Sequence, residues 1–124
     1  MDSKMFFYHG VDGPTLCIKT DSSEWLAMFH RRFMDLAKDS SHCFDALSLP
    51  IESANVAEFL IFNGEHGDIS IDKTSPYTIS WTVANTQICN IDGKIVALLQ
   101  RNKPAHQYLT ETEDVLVVLS YREP

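Results

Sequence analysis

The side chains best able to do chemistry in this chain are few and far apart. Glu58 stands near the start of an apolar run, Val56-Ala57-Glu58-Phe59-Leu60-Ile61-Phe62. In a regular strand it shares a face with Val56, Leu60 and Phe62, and a carboxylate among apolar neighbours is suited to general acid–base work. His66 lies in the turn Asn63-Gly64-Glu65-His66-Gly67, and Cys89 follows Ile88 in what reads as a strand. Such groups can assemble into a nucleophilic site from distant positions, because geometry and not chain order defines one. Each also has a plainer reading: a solvated strand end for Glu58, an exposed turn for His66, core packing for Cys89.

Nothing in the spacing adds to these three. The histidines at 9, 30, 42, 66 and 106 make no H-x-x-x-H or H-x-H pair, and the cysteines at 17, 43 and 89 make no C-x-x-C. His42 and Cys43 are neighbours, but neighbours on a strand point to opposite faces. The glycines at 10, 13, 64, 67 and 93 sit in turns that lack the helix start of a phosphate loop, and no G-x-S-x-G elbow occurs. Thr78, Ser80 and Thr82 alternate with apolar residues and could line a hydroxyl-rich pocket or simply face water. No metal and no cofactor is expected.

The stronger signal is charge. Residues 39 to 72 contain no lysine or arginine and seven carboxylates: Asp39, Asp45, Glu52, Glu58, Glu65, Asp68 and Asp72. The remaining ten acids balance all ten lysines and arginines, so the net charge of −7 belongs to this interval alone. A one-signed surface raises encounter rates with an opposite partner by roughly 10- to 1,000-fold. A pI near 5.0 argues against a phosphate-backbone binder. Arg31-Arg32 and Arg101-x-Lys103 are the closest basic pairs, and Glu111, Glu113 and Asp114 form a second acidic knot that reads as a solvated loop.

The elements that must position these groups follow from pattern. A length of 124 residues suits a single domain, 1–124, able to bury a core. Met5–His9 and Thr15–Lys19 read as a hairpin around Gly10 to Pro14. Asp21 is the expected N-cap of a helix, with Glu24 completing a capping box and Trp25, Phe29, Phe33 and Leu36 forming its apolar stripe. Residues 40 to 54 predict an irregular connection with one helical turn and buried apolar residues. Strands are expected at 59–62, 69–71 and 77–83. Asp92-Gly93 reads as the turn of a further hairpin, with Ile95–Leu99 returning, and Val115–Tyr121 as a central final strand. The expectation is an α+β fold: a mostly antiparallel β-sheet of about six to seven strands with one principal α-helix packed on it.

The lack of a signal-peptide core, the odd cysteine count and aliphatic runs of only about five residues predict a cytoplasmic protein that does not enter a membrane. The functional expectation is an acidic protein-binding module with Asp45, Glu52, Glu58, Glu65, Asp68 and Asp72 as its docking charges and Phe44 as an apolar anchor. By analogy of size and charge, bacterial immunity proteins and antitoxins block basic nuclease toxins in this way. Two alternatives stand beside it: a small-molecule enzyme with a carboxylate or histidine base between sheet and helix, and a structural or regulatory subunit that oligomerises through a sheet edge.

Overall fold

In the computed structural model, residues 2–38, 43–72, 74, 76–110 and 114–124 are described. The chain is α+β, with nine strands in two mixed sheets and two α-helices among the described residues. The single, mostly antiparallel sheet with one helix is therefore corrected in detail: three of the strand pairs are parallel.

Strands β1 (Ser3–Gly10) and β2 (Gly13–Thr20) form the expected hairpin. Gly13 closes it at φ +114°, a conformation that side chains with a Cβ rarely adopt. Helix α1 (Ser23–Lys38) follows and buries Trp25, Leu26, Phe29, Phe33 and Leu36, the expected stripe widened by one. Its cap is Ser22 and not Asp21. The Ser22 hydroxyl accepts from the Trp25 N–H at 3.1 Å, while the Asp21 N–H donates to the Asp2 carbonyl and ties the helix start to β1.

The connection after α1 contains β3 (Cys43–Asp45), one 3-10 turn at Ala46–Ser48 and β4 (Glu52–Ser53). It buries Phe44, Ala46 and Leu49. Asn55 then imitates a strand neighbour: its amide donates to the Phe7 carbonyl at 2.8 Å and accepts from the Phe7 N–H at 2.9 Å. That continues the edge that β4 begins along β1.

Strands β5 (Val56–Gly64), β6 (Asp68–Asp72) and β7 (Tyr77–Ala84) come next, and β7 inserts between the other two. Residues 88 to 101 depart most from expectation. They form helix α2 (Ile88–Arg101), not a hairpin, and it buries Ile88, Ile91, Ile95 and Leu98. Steps of three, four and three give one helical face, and burying that face outweighs the turn preference of Asp92-Gly93. Asn102, left-handed at φ 50°, ends the helix, and its N–H donates to the Leu98 carbonyl. Strand β8 (Ala105–Tyr108) lies where no strand was expected; β9 (Leu116–Tyr121) is central, as expected, between β2 and β8.

The sheet orders are β4-β1-β2-β9-β8 and β3-β5-β7-β6. One core cluster holds inward residues of both sheets with the stripes of both helices, including Met5, Leu16, Ile18, Phe29, Phe59, Ile61, Trp81, Ile95 and Leu119. Side chains alternate along each strand, so each sheet has an opposite, outward set. Those two outward sets are where function has to be sought.

Candidate functional site

The register of the four-stranded sheet decides where the carboxylates go. Phe44, Ile61, Trp81 and Ile69 stand in one row across β3, β5, β7 and β6, all buried. The rows on either side point outward: Cys43, Phe62, Thr82 and Asp68, then Asp45, Leu60, Ser80 and Ser70. A further outward row holds Glu58, Thr78 and Asp72. Asp45, Glu58, Asp68 and Asp72 therefore share one sheet face, about 15 Å across for four strands at the usual spacing. The half-buried Leu60 and Phe62 and the hydroxyls of Thr78, Ser80 and Thr82 lie between them. No strand residue on this face is a lysine or arginine.

Glu58 reaches that face through an irregularity. The pairing of β5 with β7 slips between Val56 and Glu58. Val56 is buried, but Glu58 is exposed and on the side opposite Phe59 and Ile61. The expected sharing of a face with Val56 is thus undone by one extra residue, as a β-bulge does. Glu58 is in water, not in an apolar pocket, and none of the four hollows described below is lined by it.

Two of the acids have local work as well. Asp45 accepts from the Leu47 N–H at 3.0 Å and starts the 3-10 turn. Asp72 accepts from the Thr74 hydroxyl at 2.6 Å and its N–H at 3.2 Å. The Thr74 hydroxyl, then its N–H, hold the Asp72 carboxyl below the ordinary carboxylate range, so it stays charged near neutrality.

The other expected residues fall elsewhere. Glu65 is exposed in the turn between β5 and β6, at the rim of the acidic face. Glu52 lies on β4 in the other sheet, in register beside Lys4. Phe44 is 4% exposed and packs on Phe29 with ring centroids 5.5 Å apart, so it is a core residue and not an anchor. Phe62 and Leu60 supply the apolar surface instead. Alternation puts them opposite Phe59 and Ile61, on the face expected for Glu58. Cys89, expected in the core, is exposed on α2, because the segment is helical and 89 falls off its buried stripe. His66 is exposed, as a turn residue would be. Asp39, His42, Glu111 and Glu113 lie outside the described residues.

Four hollows are lined by described residues alone. One of about 280 Å³ lies at the start of α1, lined by Asp2, Ser22, Glu24, Trp25, Met28 and Pro50. One of about 160 Å³ lies where the two sheets meet, by Phe7, His9, Ile71 and Tyr77. Two, of about 440 and 110 Å³, lie side by side on the outer face of the five-stranded sheet and share Tyr8, Tyr108 and Val118. Among the described residues no group of three or more histidines, cysteines and carboxylates is placed to hold a metal, and no helix is long and apolar enough to cross a membrane. No family model, no curated protein and no solved structure matches this chain.

Proposed function

We propose that the protein is an acidic protein-binding module whose docking surface is the outer face of β3-β5-β7-β6, taking a basic protein partner. The observation that carries this reading is the placement of Asp45, Glu58, Asp68 and Asp72 on one open face around Phe62 and Leu60. A half-exposed apolar centre inside a charged rim is the arrangement that gives an interface both an anchor and long-range steering. The partner class that best fits is a protein with a cationic substrate cleft, such as a nuclease toxin. On this reading the carboxylates stand where nucleic-acid phosphates would, as in an immunity protein or antitoxin. A cytoplasmic setting suits three unpaired thiols. Glu52 drops out of the proposed surface and Glu65 stays at its rim.

The test uses a partner captured from the source cell and purified. Glu58→Lys and Asp68→Lys together reverse two exposed charges to which no side-chain or cap bond is assigned. The expected result is a Kd raised about tenfold or more, through a slower on-rate, with a shallower dependence on salt. Partner affinity unchanged by the double reversal overturns the proposal.

A further inference from the structure

The outer face of the five-stranded sheet is of another kind. Its outward rows are Lys4, Lys19, Ser120 and His106; then Phe6, Cys17, Val118 and Tyr108; then Tyr8, Thr15 and Leu116. Among the described residues the exposed large hydrophobics are Tyr8 at 45%, Tyr108 at 44% and Val11. All three line the smaller of the two adjoining hollows there. Tyr8 and Tyr108 stand on β1 and β8, the two sides of the face, with the centroid of the Phe6 ring 5.7 Å from that of Tyr8. Between them the floor is Cys17, Thr15, Val118 and Leu116.

One end of this groove is polar. Lys4 and Lys19 are direct cross-strand partners on the outward side, a like-charge pair that costs stability where nothing answers it. Glu52 is in register beside Lys4, and Glu123 acts on Lys19 electrostatically. Yet among the described residues neither lysine has a carboxylate within ion-pair distance. Glu123 lines the same hollow as Lys19, but its carboxylate is engaged there by the Ser120 hydroxyl at 2.7 Å and His106 Nδ1 at 3.0 Å. Burial, the largest influence on Cys17, pushes its thiol up, so the floor is an uncharged sulfur.

We infer that this groove is a second binding site, for a small ligand that combines a flat aromatic ring with an anionic group, of about the size of a nucleoside monophosphate. The ring lies on the floor between Tyr8 and Tyr108, and the anion meets Lys19, which lines the larger hollow, with its cross-strand neighbour Lys4 adding charge beside it. A hollow of about 440 Å³ falls within the range of small-molecule sites.

Titration of the full chain with adenosine monophosphate and with anilinonaphthalene sulfonate, followed by backbone amide NMR, tests this. Saturable shifts confined to β1, β2, β8 and β9 are expected for at least one of these aromatic anions. Adenosine and inorganic phosphate, the ring and the anion separately, should each bind at least about tenfold more weakly. Tyr8→Ala and Tyr108→Ala remove exposed rings and should each raise Kd about tenfold. Lys4→Gln with Lys19→Gln should abolish the preference for phosphorylated over plain adenosine. The inference is overturned if neither anion gives saturable shifts on this face at millimolar concentration. It is equally overturned if adenosine binds as well as its phosphate, or if the wild-type chain sediments as a dimer that Tyr8→Ala dissociates.

Discussion

The two open sheet faces are built from the same strand grammar and differ in what alternates. On β3-β5-β7-β6 the outward positions are carboxylates and hydroxyls around Phe62 and Leu60, with no cation on any strand. On β4-β1-β2-β9-β8 they are Phe6, Tyr8 and Tyr108 with two lysines and a histidine at one end. The strands of the first face present negative charge alone; the second face carries two adjoining hollows. Four of the seven carboxylates behind the net charge of −7 stand on the first face and one, Glu52, on a strand of the second sheet, so an overall charge is a poor guide to what a small domain can bind.

That contrast depends on which residues of β5 point inward, and the largest effect tests it. Phe59 is fully buried, while Phe62 is only half-buried on the outer side. Phe59→Ala should cost about 3–5 kcal/mol of unfolding free energy in urea, the range for a core aromatic. Phe62→Ala should cost less than half as much and leave the fold intact. Equal losses would mean that the bulge at Glu58 does not set the register, and the acidic face would dissolve as a unit.

The hairpin, the first helix and the final central strand were legible because their local signals agree with their burial. Trp25, Phe29, Phe33 and Leu36 recur at helical spacing, and all four are buried. Convergence of the acids was not legible, since it needs β7 to enter between β5 and β6, and no local pattern records that insertion. The aromatic groove did leave a trace. Lys4, Phe6 and Tyr8 alternate with Met5 and Phe7, but both sets are largely apolar, so alternation could not say which faces out. Helix α2 was misread because Asp92-Gly93 is a strong local turn signal and the 88, 91, 95, 98 stripe is a longer-range one. Gly93 decides between them. It is exposed in the helix interior, outside the positive-φ set, and a Cβ there meets nothing within 4 Å. Gly93→Ala should raise stability by about 0.5–1 kcal/mol in chemical denaturation. A type I′ turn would instead need positive φ at that position and would be destabilised by alanine. A hairpin there would add strands and change which sheet faces remain open, so a loss of stability would undo the comparison of the two faces as well as the helix.

Acid pH should act on the grooved face through Glu123. The Ser120 hydroxyl, then His106, hold its carboxyl below the ordinary range. A carboxylate whose folded value is depressed contributes stability above its unfolded pKa, and that contribution is lost as pH falls through the folded value. The pair is partly exposed, at 45% and 32%, so its share is less than about 1 kcal/mol. Glu123→Gln should therefore reduce stability at neutral pH by a few tenths of a kcal/mol and have no effect below the carboxylate range, where the wild-type side chain is neutral too. The same change removes a negative charge that shares the hollow with Lys19, so affinity for an aromatic anion at pH 7 should rise about two- to fivefold, the worth of one surface charge. Affinity for a basic partner on the other sheet should stay level, because Glu123 is not on that face. The wild-type protein taken to acid should then gain anion affinity as Glu123 protonates. A Glu123→Gln variant that weakens both ligands together would show that the faces are coupled through the core and do not bind independently.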